Sequence, residues 1–391
     1  MENFINDFEC ELTKIMDIWS EQFLDTQYGG FLTCRDRDFS LTGDKKGAWG
    51  QARLIYTYAM MAEHDPENKS KWLNLSRAAL DFVVNHMMRD DIRINYLVSR
   101  EGNVEEGPIS IFSEAFTLIG LSKYISVSKD YSYLDLLKKL FNFYKEAVFD
   151  VDFKDIAPSK YKKGVIYHAV FMIAVNVGNE VYSVLGDEVL PFLSACVDKV
   201  LFTFFDEKTN CVLESKMLDG SIVENSDDTL CINIGHVFES MWFVLDAIKI
   251  LNKKEYTDRI LSIANSAYES GNIDGLIMFS IDPYKRHKSH ETWKYELSFK
   301  EDDKISWSYA EAMVFFIYAY SLTNDEKWYD RFLMHKNYVD DHFIDKEYGD
   351  WYHALDVNGN VTSGMKGSTV KDAYHIPRAY IKIISILREL K

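Results

Sequence analysis

Residues 348–360 read YGDWYHALDVNGN, and residues 28–40 read YGGFLTCRDRDFS. Both open on Tyr-Gly, pass through a short run of alternating character and close on turn-forming residues, which predicts a short strand or hairpin. IRINYLVSREGN (92–103), CVLESKMLDGS (211–221) and DGLIMFSID (274–282) repeat the pattern. Their placement decides the fold. Elsewhere apolar residues recur at spacings of three and four, the helical period. That spacing predicts twelve helices, near 4–23, 46–63, 68–88, 109–127, 132–149, 167–184, 186–203, 235–251, 255–270, 307–322, 326–343 and 376–390. The hairpins follow odd-numbered helices and precede even-numbered ones, so the unit is helix, hairpin, helix. Six such pairs without a linker predict an all-α fold, an (α/α)6 barrel or toroid with short β-hairpins at one rim and alternate helices lining the inside. An open α-solenoid would need polar capping repeats at both ends, and neither end shows a clear one. Residues 1–391 therefore read as one catalytic domain.

The bulk composition agrees. Of 391 residues 47% are hydrophobic, enough for a large core. A net charge of −17 argues against nucleic-acid or anionic-membrane partners. Five scattered cysteines without a CxxC pair fit a reduced, cytoplasmic protein better than a disulfide framework. The acidic, amphipathic start predicts no secretion signal, and no apolar run is read as a membrane span.

Polar and aromatic residues gather at the starts of the even-numbered helices. KGAWGQARLIY carries Lys46, Trp49, Gln51 and Arg53. GPISIFSEAF carries Ser113 and Glu114, and IYHAVFM carries His168. NIGHVFE carries His236 and Glu239, SWSYAEAM carries Trp307, Tyr309 and Glu311, and DAYHIPRAY carries His375 and Arg378. Each alone has a plain structural reading: a satisfied core histidine, a core tryptophan, an ion pair between arginine and glutamate. Together, six clusters at one rim predict one cavity, because buried charge is costly unless paired or used.

No GxSxG elbow, P-loop or HExxH occurs. His236 and Glu239 have a metal-compatible spacing, but Arg, Trp, Tyr and Gln around them are poor or non-ligands, so no metal is expected. Histidines with arginines and glutamates suit proton transfer instead: imidazole serves as acid or base near neutrality, and arginine stabilises a developing oxyanion.

These segments resemble the N-acylglucosamine 2-epimerase superfamily, which also holds cellobiose 2-epimerases and mannose isomerases. The resemblance rests on KGAWGQAR, ISIFSEAF, CINIGHVFESMW, SYAEAM and the run from YGDWYHALDVNGNV to MKGSTVKDAYHIPRA, and covers nearly the whole chain. It implies an (α/α)6 barrel. It implies His236 and His375 as the two catalytic bases, with Arg53, Glu239, Glu311 and Arg378 as the charged shell, and His168 near a further family histidine. Trp49, Gln51, Glu114, Trp307 and Tyr309 complete the expected substrate-binding set. Ile234 stands where the family often has proline, Ser306 where it has tryptophan, Tyr309 where it has histidine, and Gly107-Pro108 where it has Arg-Pro. These departures bear on the substrate more than on the reaction.

The expected function is a cytoplasmic sugar 2-epimerase interconverting N-acetylglucosamine and N-acetylmannosamine, acting on a small sugar without cofactor or metal. Nucleotide activation and a homodimer are compatible with it. The alternatives are an aldose–ketose isomerase, a 2-epimerase of free hexose or cellobiose, a glycoside hydrolase on the same ring, and a non-catalytic sugar-binding toroid.

Overall fold

The computed structural model describes residues 2–157, 164–223, 231–284, 291–295 and 297–391. Among the described residues twelve α-helices alternate in two layers. The inner layer holds α2 (Ala48–His64), α4 (Phe112–Ser128), α6 (His168–Leu185), α8 (Ile234–Ile250), α10 (Ser306–Thr323) and α12 (His375–Glu389). The outer layer holds α1 (Glu2–Gln22), α3 (Lys69–Phe82), α5 (Leu134–Ala147), α7 (Leu190–Asp198), α9 (Thr257–Ser270) and α11 (Glu326–Tyr338). Each inner helix packs on the next, and α12 packs on α2, so the ring closes. α4 and α10 are buried nearly all round at their starts and centres, whereas α5 buries a single apolar stripe, as an outer helix must.

The expected helices are present, with their ends altered. The runs to residues 88, 203 and 343 hold because α3, α7 and α11 each finish in one π-helical turn, Val83–Met87, Lys199–Thr203 and Val339–Phe343. One expectation is corrected. His168–Thr203 is long and apolar enough by composition to cross a membrane. Its hydrophobicity has another use here. A 3-10 turn at Gly186–Val189 breaks it, and α6 lies in the inner layer with its apolar side chains in the barrel core.

The hairpins do more than connect helices. The strand before an inner helix pairs with the hairpin of the next unit: Lys46–Gly47 with Leu97–Val98, Val165–Tyr167 with Ser215–Met217, Ile232–Asn233 with Ser280–Ile281, and Lys304–Ile305 with Ala354–Leu355. The pairing ties the N-termini of α2, α6, α8 and α10 to their neighbours at one rim.

The likeness of 28–40 to 348–360 has a physical counterpart. Asp25 accepts from Lys46 Nζ at 2.9 Å and from Arg100 Nε at 2.9 Å, and Lys46 also donates to Gly29 O. Asp345 accepts from Lys366 Nζ at 3.0 Å and from Arg37 Nε at 2.8 Å, and Lys366 donates to Gly349 O. Both lysines are fully buried, so each pair must be well bonded to offset its desolvation. Arg37 comes from the first hairpin and Asp345 from the last, which joins the two ends of the chain. Gly367 allows the closest approach: a Cβ there would lie 2.2 Å from Thr33 O.

Candidate active site

Partial exposure marks the cavity from inside. From residue 234 to 245 in α8 only His236 is not buried, and from 306 to 319 in α10 only Trp307. His375 is the corresponding residue at the start of α12, and Trp49 and Arg53 are those at the start of α2.

His236 sits in the first turn of α8, where the capping Asn233 side chain accepts from its backbone N–H at 3.1 Å. The glycine before it is obligatory. A Cβ on Gly235 would lie 2.4 Å from Ser308 Oγ and 2.6 Å from the Trp307 ring. Only glycine lets α8 and α10 approach closely enough to lay the indole beside the imidazole. The Trp307 ring centroid is 5.2 Å from that of His236 and 5.5 Å from that of His375. One indole thus flanks both histidines.

Each histidine is held through Nδ1 by a buried carboxylate. His236 Nδ1 is 3.0 Å from Glu214 Oε2, and His375 Nδ1 is 2.6 Å from Glu311 Oε1. Neither Nε2 has a protein partner among the described residues. The two environments differ. Burial alone would push the His236 imidazole down, but Glu214 overcomes this and its pKa is raised. Burial pushes His375 well below the ordinary value, and the Arg378 and Arg53 charges add to the effect. The two imidazoles are thus shifted in opposite directions, His236 toward holding its proton and His375 toward losing it. Despite its burial, Glu214 is held down to about 2 by His236 and His168.

Arg378 lies beneath His375. Its Nη2 donates to Glu239 Oε1 at 2.5 Å and to Glu311 Oε1 at 2.6 Å, and Nη1 donates to the Tyr374 hydroxyl at 2.8 Å. Trp242 Nε1 donates to the other Glu311 oxygen at 2.8 Å. Glu239, Glu311 and His375 offer three ligand atoms within 4.8 Å of one another, a set unlike the His236–Glu239 pair considered from sequence. The guanidinium already bonds to two of them, so this donor set does not fit a cation. Arg378 is only 1% exposed. It holds the two carboxylates and is sealed from the cavity. Arg53 is the more open arginine. It lies 4.1 Å over the Phe116 ring and 5.2 Å from that of Tyr374, and donates to Asp372 at 3.3 Å. Trp49 packs edge-on against Phe112 and Phe116 in the same wall.

Besides Glu239, Glu311 and Arg378, which are buried beneath His375, four expected binding residues are turned away from the cavity. Gln51 is fully buried and spends its amide on the N–H and C=O of Phe31, at 2.9 and 2.8 Å. Glu114 points to the second hairpin, accepting from Arg93 Nε and Ile94 N. Tyr309 faces the outer layer among His335, Tyr338 and Phe343, with its hydroxyl on Ile277 O. His168 is fully buried behind His236, with Nδ1 3.3 Å from Glu214 Oε1 and Nε2 3.0 Å from Ser240 Oγ. The reason is common to all four. Successive helical residues diverge by about 100°, so neighbours at one helix start serve different faces. Glu214, Trp242, Tyr374 and Asp372 are further residues of this site that the sequence does not single out. Glu214 lies in the flagged hairpin CVLES, but strand alternation does not tell which face turns inward.

The family model described as N-acylglucosamine 2-epimerase (GlcNAc 2-epimerase) matches residues 29–379. The N-acylglucosamine 2-epimerase of Bos taurus is 24% identical over 97% of this chain and 90% of its own length. The cellobiose 2-epimerase of Dictyoglomus turgidum is 21% identical over 96% and 97%. The solved structure of the cellobiose 2-epimerase from Bacillus thermoamylovorans superposes with a TM-score of 0.85 at 22% identity, covering 98% of this chain and all of that one. At that identity it shows the (α/α)6 fold alone.

Proposed function

The chain belongs to the N-acylglucosamine 2-epimerase family, a sugar 2-epimerase in the isomerase class, and from that premise we propose an N-acetylated hexosamine as its substrate and His236 and His375 as its two bases. The observation that carries the reading is the pair of imidazoles on one indole, each with Nδ1 on a buried carboxylate and Nε2 unpartnered among the described residues. The sugar opens to its aldehyde and lays its apolar face on Trp307. Neutral His375 removes the C2 proton, which the adjacent carbonyl acidifies. Arg53 stabilises the enolate oxygen, and charged His236 returns a proton to the opposite face. The reverse direction exchanges the roles. A placed acid or base contributes roughly 10²–10⁴-fold to each transfer. Carbon oxidation state is unchanged, so the chemistry needs no redox cofactor.

The sugar assignment rests on the YHIPRA ending at residues 374–379 and on the Bos taurus relative. None of the five cysteines forms a disulfide among the described residues, which supports work in the reducing cytoplasm.

The test compares kcat/KM for N-acetylmannosamine, mannose and cellobiose, with products separated and deuterium followed at C2 in heavy water. N-acetylmannosamine is expected to be turned over best, to N-acetylglucosamine carrying deuterium early. Fructose formed from mannose would make the chain an aldose–ketose isomerase. His236→Asn or His375→Asn is expected to abolish turnover with the fold intact, and near-normal turnover of either refutes the two-base assignment.

A further inference from the structure

Glu214 is a buried carboxylate with an unusual set of partners. Oε2 meets His236 Nδ1 at 3.0 Å and Oε1 meets His168 Nδ1 at 3.3 Å. No lysine or arginine bonds to it among the described residues. The main chain fixes it on both sides: its N–H donates to Cys231 O at 3.0 Å, and its C=O accepts from His168 N at 2.9 Å. His168 in turn contacts Ser240 Oγ at 3.0 Å, and Ser240 lies one turn beyond His236 on α8. The four side chains form a closed loop: His236, Glu214, His168, then back to α8 at Ser240.

An ionised carboxylate of such low exposure is costly unless its lone pairs are filled. Among the described residues only imidazole ring nitrogens meet them. Both Nδ1 atoms must therefore carry protons, which fixes His236 as the tautomer whose Nε2 is the reactive nitrogen. How strongly the carboxylate acts on His236 depends on how much of it His168 takes.

We infer that Glu214 and His168 are paired positioning residues for the epimerisation: Glu214 fixes the tautomer of His236 and holds its proton, and His168 limits that hold by competing for the same carboxylate. The inference rests on the two-base reading above, but its test needs no substrate. Glu239 on the same helix, Glu311 on α10 and His375 on α12 also act on His236. They are unchanged in both variants proposed, so they serve as a common background.

The experiment is an NMR titration of histidine-labelled protein without ligand. The His236 signal is assigned by its absence in His236→Asn. In Glu214→Gln the midpoint of His236 is expected to fall by roughly 1–3 units, the range for loss of an adjacent opposite charge. In His168→Phe, which removes the competing donor but keeps a ring in place, it is expected to rise. Opposite shifts support the pairing. A midpoint that stays put in either variant, or moves the same way in both, overturns it. If Glu214→Gln does not fold, the direction of the shift in His168→Phe decides alone. Turnover is a separate readout. Glu214→Gln is expected to lower kcat with KM nearly constant, because the residue is sealed from the cavity, and to move the alkaline limb of the pH profile to lower pH. Opposite NMR shifts without turnover of any sugar would overturn the epimerase reading and leave the pairing standing.

Discussion

Replacing Arg378 by methionine removes the one guanidinium shared by Glu239, Glu311 and Tyr374 while keeping much of its volume. The two carboxylates then lie within 4.8 Å of each other and of His375. Two like charges at that separation repel by roughly 3 kcal/mol at an effective dielectric constant of about 20. This agrees with the roughly 3–5 kcal/mol lost when one partner of a buried ion pair is removed. The sign of the pH dependence follows. Burial already raises the Glu311 pKa with Arg378 present, and losing the guanidinium raises it further. A carboxyl whose folded pKa lies above its unfolded value destabilises at higher pH, and the penalty is relieved as pH falls through the folded value. Urea unfolding of wild type and Arg378→Met in parallel should therefore show the full difference near neutrality and a smaller one in mild acid. A neutral-pH difference below about 1 kcal/mol, or one that does not shrink on acidification, would refute the charge argument. Arg378 is sealed from the cavity, so the variant is expected to lose kcat with little change in KM. A large KM effect would place Arg378 on the substrate instead.

Three further outcomes can be measured. The pH dependence of kcat/KM should be a bell. His375, held below its ordinary value of 6.5 by burial, gains a proton on the acid side, and His236, raised by Glu214, loses one on the alkaline side; both limbs on one side of 6.5 would contradict the assignment. Trp307→Ala should raise KM about tenfold, on the scale of one lost aromatic contact, and an unchanged KM would mean the sugar does not lie on this indole. Gln51→Leu should cost stability of roughly 1–3 kcal/mol for each Phe31 group left unpaired with KM unchanged, whereas a KM effect at full stability would return Gln51 to the substrate.

Much of the architecture was legible in the chain, because periodicity is a local property. Helix spacing of three and four, broken by hairpins of alternating character, states which segments are helices and in what order they alternate. Six such pairs without a linker leave few ways to bury their apolar faces other than a ring. The starts of the even helices as the polar rim were equally local. His236, His375, Arg53, Trp307 and Glu311 were named from their places there, and the structure brings the first four to one cavity with Glu311 buried behind His375. The face each side chain occupies was not local. Gln51 and Arg53 are two residues apart, yet one ties down Phe31 and the other opens to the cavity. Trp307 and Tyr309 divide in the same way between the inside of the ring and its outer layer. Those outcomes depend on the rotation of each inner helix, which is set by what its neighbours pack against it. Glu214 shows the same limit for strands. In sequence it is one acidic residue in a short alternating run, and only the pairing of 165–167 with 215–217 brings it between two histidines. The pattern along the chain determined which elements form and which ends share a rim. The tertiary structure decided which nitrogen of each histidine is bonded, because that depends on carboxylates brought from distant parts of the sequence.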